Sequence, residues 1–467
     1  MKGLLRIFII LYTLLSASCI QENEWQNLTI LHTNDIHGSL ISRPSLKRGS
    51  IAKIATYIKK IRKTKDEVLV VDSGDLHEKG SLPDGLSKGK VMSDLMKILD
   101  YDLRVLGNHD LRFGVESIVN SLNGTNTPAV ISNLNWSRPE QITFYRHYIV
   151  QAGKARIGFV GIIIGPRIYT TGIETGDYNV QAEINALRAK DVDAIIALTH
   201  IGYEEDKLLR EKLNNIDLII GGHSDTTLKS VDRGRRGNEI PIVHTGSFAR
   251  AIGHLDLRIN IEKNKLIIDD YKLVSLIGDD VIEDPEVKEV ISGAYKKYAP
   301  FGLDPIRSFE KNIRKRSRKS LQLATEAMAY ATKSDAALFW KNPIRTDLKK
   351  GEISPEDIFI FAPIIRTGCG GQGQSHVYTI HMSGDKLSKL KKVFDMNMEL
   401  YANMPSKIEK TRQYKVAVIK AMLDKQLSIF KNIDQLPDMA TAHMNHNLQD
   451  TNKELHEILI AFLRKGD

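Results

Sequence analysis

LHTNDIHG, residues 31–38, closes the apolar run Leu28-Thr29-Ile30-Leu31 and sets Asp35 and His37 two apart directly behind it. A short apolar run ended by polar residues and glycine reads as a buried strand, so the pair stands where a strand releases the chain into a loop. One Asp and one His in such a place are ordinarily a cap or a surface pair. What gives the stretch weight is that the same arrangement recurs along the chain.

Further apolar runs suited to buried strands lie at Glu67 to Ser73, Leu103 to Leu106, Ala155 to Ile164, Val192 to Thr199 and Ile216 to Ile220. Between them Ile51 to Ile61, Val91 to Leu99, Val180 to Arg188 and Glu204 to Leu213 carry helical spacing. That alternation predicts a layered α/β fold with a largely parallel sheet, in which sites gather beyond the carboxyl ends of strands. Four later strand ends then release metal-capable side chains as LHTNDIHG does: Asp75 in DSGDLHEKGS, Asn108, His109 and Asp110 in GNHDLRFG, His200, and His223 with Asp225 in GGHSDT.

Five strand ends of this kind point to a pair of divalent cations. Two cations about 3.5–4 Å apart need a bridging carboxylate to offset their repulsion, with imidazole, carboxylate and carboxamide ligands on either side. A hydroxide held between them is a nucleophile at neutral pH, and open positions bind phosphate oxygens.

Length and charge bound the alternatives. At 467 residues, 42% of them hydrophobic, the chain is long enough for two or three domains with cores of their own. The cysteines Cys19 and Cys369 form neither a disulfide framework nor a metal-type pair, so metal ligands must come from His, Asp, Asn or Glu. A formal charge of +9, or +7 without Lys2 and Arg6, favours anionic partners. The densest basic run, Arg314 to Lys319, has no interleaved aromatic residues to stack bases; it reads as a solvated face, and no nucleic acid is expected.

Residues 1–18 combine Lys2 and Arg6 with an apolar stretch from Ile7 to Leu15 and then Ser16-Ala17-Ser18, the pattern of a secretory signal, too short to span a bilayer. Small residues ending at Cys19 resemble a bacterial lipobox, although Ser16 stands where leucine is usual. Lipidation at Cys19 and ordinary cleavage both place the mature protein outside the cytoplasm, as a periplasmic or cell-surface lipoprotein or a released protein.

The ordered set LHTNDIHG, VVDSGDLHEKGS, DLRVLGNHDLRFG, ALTHIG and LIIGGHSD resembles the calcineurin-like metallophosphoesterases, and more narrowly the bacterial 5'-nucleotidase/UDP-sugar hydrolase family. The segments IVHTGSFARAIGHLDL and EDPEVKEVISGAY are similar to it as well. The resemblance implies a four-layer α/β/β/α sandwich over residues 19–282, a linker helix at 283–299 and a smaller α/β substrate domain at 300–467. It further implies two divalent ions (Zn, Mn, Mg or Fe), one held by Asp35, His37, Asp75 and Asp225, the second by Asp75, Asn108, His200 and His223. His109 would act at the leaving-group oxygen. Asp225 stands where the family usually has Gln, Asn or His. Arg112 replaces the family's aspartate that orients the histidine, so His109 loses that partner, its imidazolium is less favoured, and catalysis is expected to be slower or to use another orienting residue.

The C-terminal motifs depart further. Arg345 stands at the family's arginine, but Trp340-Lys341-Asn342-Pro343 replaces a glycine-rich run, Ile364 replaces one stacking phenylalanine, and the second aromatic motif is missing. Loss of that sandwich argues against a nucleoside pocket. Lys341, Arg345 and Arg366 are gained cations that suit a small phosphorylated or anionic substrate; Arg345 and Arg366 are the substrate-binding candidates, and Lys341 fits a surface cation equally well. TGCGGQGQ, at 367–374, lacks a Walker lysine and reads as an insertion, with Cys369 an incidental thiol. His77, His244, His254 and His376 read as packing or surface histidines. Two functions are therefore weighed: a phosphoesterase, favoured by the complete ligand set, and a surface lipoprotein that keeps the scaffold for binding, favoured by the altered second domain.

Overall fold

The computed structural model describes residues 24–164, 173–175, 179–237, 239–366, 373–423 and 448–465. The leader expected at 1–18, Cys19 and, within TGCGGQGQ, residues 367–372 with Cys369 lie outside the described residues.

Two five-stranded sheets build the first half. One has the order Lys265–Ser275, Ala251–Asn260, Trp25–Thr33, Val68–Asp72, Leu103–Arg104, and the other Ile242–Val243, Leu218–Gly221, Ala194–His200, Ala155–Ile163, His147–Ala152. Trp25–Thr33, Val68–Asp72 and Leu103–Arg104 run parallel, as do Ala155–Ile163, Ala194–His200, Leu218–Gly221 and Ile242–Val243. The long strands Ala251–Asn260 and Lys265–Ser275 add an antiparallel edge.

The alternate faces of these strands explain the layers. Leu28, Ile30, Leu69 and Val71 from one sheet meet Ile157, Phe159, Leu198 and Ile220 from the other in a single buried core. Their opposite faces bury Leu31 and Val70 under the helices Ile51–Arg62, Lys90–Leu99 and Pro285–Tyr298, and Val160, Ile195 and Ile219 under Val180–Arg188 and Tyr203–Lys212. The result is the α/β/β/α stacking expected of sheets that are apolar on both faces.

Helix ends follow their local chemistry. Asp284 accepts from Val287 N at 3.1 Å with Pro285 at the first helical position, so Pro285–Tyr298 starts where a side chain satisfies an orphan N–H. The helix is also part of the outer layer, where Val287, Ile291 and Tyr295 are buried.

The second half carries a five-stranded sheet, Leu400–Asn403, Ala336–Trp340, Gln413–Ile419, His376–Ser383, Leu448–Glu454, with the helices Arg318–Thr332, Gly384–Met396 and Leu455–Arg464 and its own core. It is keyed into the first half by the helix Pro355–Phe361. Phe359 and Ile364 enter the core of the outer helical layer, Glu356 Oε2 accepts from Leu82 N at 2.8 Å, and Arg43 pairs with Asp357 at 2.9 Å. Ile364 is thus a core residue, 7% exposed.

Candidate metal centre

Because the strands ending at Thr33, Asp72, Arg104, His200 and Gly221 run parallel within their sheets, their carboxyl ends share one edge of the sandwich. Asp35, His37, Asp75, Asn108, His200, His223 and Asp225 are released there. Ligand atoms of Asp35, His37 and Asp225 lie within 4.8 Å of one another, as do those of Asp75, His200 and His223, and those of His37, Asp75 and His109. Asp75 stands between the groups, with Oδ1 3.2 Å from His200 Nε2 and Oδ2 3.8 Å from His37 Nε2. Asn108 Oδ1 lies 2.9 Å from His223 Nδ1.

The loops are strained to do this. Positive φ falls on Asp35 (51°), His37 (51°), Asp75 (57°), His223 (82°) and Asp225 (56°), at the side chains themselves as well as at neighbouring glycines such as Gly74. Non-glycine residues in this region cost of order 1–3 kcal/mol each, so the surrounding contacts must over-determine them. Asp110 is one such fastener: its carboxylate accepts from Asp75 N, Gly107 N and His77 N at 2.9, 2.7 and 3.2 Å, tying two strand-end loops together.

Two of the imidazoles are oriented from behind. His37 Nδ1 meets His77 O at 3.1 Å and His200 Nδ1 meets Ser73 O at 2.7 Å, which leaves both Nε2 atoms aimed into the cluster. Asp35 is oriented by Asn34 Nδ2 and His223 N, both on Oδ2. Its Oδ1 is buried without a hydrogen-bond partner, and His200 Nε2, equally buried, faces Asp75 Oδ1.

The charges are strongly coupled. Burial raises Asp35 to about 7, aided by Asp75 and Asp225. Burial also works to raise Asp75, but His200, His109 and His37 outweigh it and hold the carboxyl well below its ordinary range. His200 rises to about 10 although burial opposes it, because Asp75 and Asp35 face it, while burial and His200 lower His223 to about 4. Burial, with Lys79, holds His37 and His109 well below the ordinary imidazole value.

Sequence reasoning missed two residues of DLHEKGS. Lys79 Nζ lies 3.2 Å from His37 Nε2, and burial lowers its pKa. Glu78, 2% exposed, accepts from His109 Nδ1 through Oε2, so the carboxylate lost at Arg112 is replaced from another loop. Arg112 in place of the family's aspartate was the signal: a histidine deprived of its orienting carboxylate calls for another acid nearby.

The remaining candidates separate. Arg345 is near enough to Glu78, Arg112 and Asp225 to feel their charges, and burial with Arg316 lowers it to about 10. Arg366, 9% exposed, donates its backbone N–H to Glu78 Oε1 at 3.1 Å and sets its guanidinium over Phe113. Lys341 is paired with Glu399. His77, His244, His254 and His376 are partnered by Asp84, Asp206, Tyr57 and Asp450.

A two-sheet sandwich with buried acids and imidazoles at its strand ends defines a scaffold suited to holding metal ions. Comparison with known proteins adds to this: residues 28–225 match the model for calcineurin-like phosphoesterases. Among curated proteins, mouse 5'-nucleotidase is 30% identical over 303 residues, covering 57% of this chain and 52% of that protein, and bovine 5'-nucleotidase is 31% identical over the same length. The chain thus spans about half the length of the curated relatives it matches. Among solved structures, a 5'-nucleotidase precursor from Thermus thermophilus superposes with a TM-score of 0.74 at 19% identity, over 94% of this chain and 96% of that one. The sulfate thiohydrolase SoxB gives 0.67 at 15%, over 94% of each chain. These likenesses show the fold over nearly the whole chain.

Proposed function

We propose that the protein is an extracytoplasmic, dinuclear metal-dependent phosphoesterase acting on small phosphate monoesters. One observation carries the reading: seven ligand-type side chains from five strand ends converge, and one of their oxygens, Asp35 Oδ1, is buried without a hydrogen-bond partner. An orphaned buried carboxylate oxygen is costly unless something binds it, and a divalent cation suits this acid, imidazole and amide set.

Asp35, His37, Asp75 and Asp225 would hold one ion and Asp75, Asn108, His200 and His223 the other. When bound, such a pair neutralises phosphoryl charge and lowers the pKa of water. His37 Nε2 cannot serve Lys79 and a cation at once, so the Lys79 side chain turns away on loading. The reaction is R–O–PO₃²⁻ + H₂O → R–OH + HPO₄²⁻: the bond from phosphorus to the ester oxygen breaks, the water oxygen replaces it, and a proton passes to the leaving oxygen. His109 keeps its Nδ1 proton on Glu78, which leaves Nε2 to take up the proton that the attacking water gives up and hand it to that oxygen.

The mouse and bovine relatives are named 5'-nucleotidases, which makes a nucleotide the first substrate to test. Burial of Ile364 in the core removes one stacking face for a base, which favours a phosphorylated anion held by Arg345. We place the boundaries between sandwich, linker helix and second domain at 282/283 and 299/300. Extracytoplasmic placement rests on the leader pattern; among the described residues no helix is long and apolar enough to cross a membrane.

Metal content, and hydrolysis of 4-nitrophenyl phosphate with Mn²⁺ or Zn²⁺, test the reading beside Asp75→Asn. The wild type should bind two ions and turn over, and the variant should lose metal and fall at least about 10³-fold, the scale on which metal and electrostatic assistance act. A wild type without metal-dependent turnover overturns the proposal and leaves the binding reading.

A further inference from the structure

His109 needs a partner for Nδ1, and Arg112, at the position from which a carboxylate would reach it, cannot accept a hydrogen bond. Arg112 NH1 lies 3.1 Å from Nδ1 and 3.2 Å from Nε2. An atom nearly equidistant from both ring nitrogens sits on neither lone pair, so Arg112 contributes charge rather than direction.

Direction comes from Glu78. Its Oε2 receives His109 Nδ1. Its backbone N–H is pinned to Asp84 Oδ2 at 3.0 Å, and its φ of 68° turns the side chain towards the histidine. The other oxygen faces the opposite half of the molecule: Oε1 accepts from Arg366 N at 3.1 Å and lies 3.7 Å from Arg366 NH1. Phe113, the residue directly after Arg112 in sequence, supports that guanidinium with its ring centroid 4.9 Å away. One buried carboxylate therefore touches the histidine at the metal centre with one oxygen and the C-terminal half with the other.

We propose that Glu78 is the positioning residue of His109, and that Arg366 sets it, so that seating of the C-terminal half against the sandwich aligns the group that serves the leaving oxygen. The inference rests on the phosphoesterase reading above. A histidine held in this way supplies proton transfer, which matters for a poor leaving group and little for one that departs as a stable anion; general acid catalysis is worth about 10²–10⁴-fold.

The test uses the full chain loaded with Mn²⁺ and two esters, 4-nitrophenyl phosphate and a simple alkyl phosphate. Glu78→Gln should lower kcat for the alkyl ester about 10²-fold, leave the nitrophenyl ester within about threefold, and keep KM and metal content unchanged. Arg366→Ala should show the same asymmetry at about tenfold. Adding Arg112→Asp to Glu78→Gln should restore most of the alkyl-ester rate, because a carboxylate then returns from the other side of the ring. Equal losses on both esters, or loss of metal from Glu78→Gln, would mean that Glu78 only supports the fold and overturns the proposal, and equal losses in Arg366→Ala overturn its link to the C-terminal half. A wild type that turns over neither ester overturns the phosphoesterase reading itself, whereas a wild type that turns over both and is matched by Glu78→Gln overturns the inference alone.

Discussion

Gly107 shows how little room the centre leaves. A Cβ built there would stand 2.1 Å from Asp75 Oδ1 and 2.3 Å from Asp75 N, so any side chain must push the Asp75 carboxylate aside. Backbone N–H groups fix that same carboxylate's loop, with His109 N donating to Asp75 Oδ1 at 2.8 Å. Gly107→Ala is expected to weaken metal affinity about 10- to 100-fold, the usual scale for disturbing a group that orients a ligand, while circular dichroism stays that of the wild type. Titration calorimetry with Mn²⁺ measures it, and an unchanged affinity would show that Asp75 can move without cost. At this scale the sequence was most informative. A candidate ligand stands out by type and by its place after a strand, and the fold brings these candidates together, whereas Glu78 and Lys79 look like ordinary loop charges until the fold turns them inward.

Single elements were legible where they carried either a strong period or a cap. Val180–Arg188 runs where its apolar spacing begins and ends, and the stop at Tyr298 falls just before Pro300. The strand His147–Ala152 and the helices Leu82–Leu86 and Val115–Asn123 escaped notice. The strand is half-polar and gains its stability from pairing with Ala155–Ile163, and the five-residue helix is too short for a period to register. Asp284 offers a direct measure of what a cap contributes. Its carboxylate accepts from Val287 N and also meets Lys59 Nζ at 2.8 Å. Asp284→Ala should lower the free energy of unfolding by about 1 kcal/mol in urea titration, since the exposed Lys59 pair adds little to the cap. A change within the error of the titration would mean that water caps this helix equally well.

For the molecule as a whole, periodicity and motif order pointed to two α/β halves, but not to how one half is seated on the other. Contacts between distant segments leave no local pattern: Phe359 and Ile364 read as any other core residues, and only the fold places them in the helical layer of the opposite half. Phe359 is the centre of that seat. It is 1% exposed, its ring tip would lie 2.4 Å from a Cβ on Gly85, and the polar contacts of Glu356 and Asp357 flank it. A phenylalanine in such a position holds both halves in one cooperative unit, because removing it leaves a cavity that neither core fills. Phe359→Ala is therefore expected to cost about 3–5 kcal/mol. In calorimetry it should split the single transition expected of the wild type into two, the metal-stabilised sandwich melting later. Mn²⁺ should shift the later transition upward and leave the earlier one in place, since a ligand stabilises only the unit that binds it. If the variant still melts in one step that Mn²⁺ moves as a whole, the halves are joined by more than this helix, and the seat of Arg366 beside Glu78 is the next contact to remove.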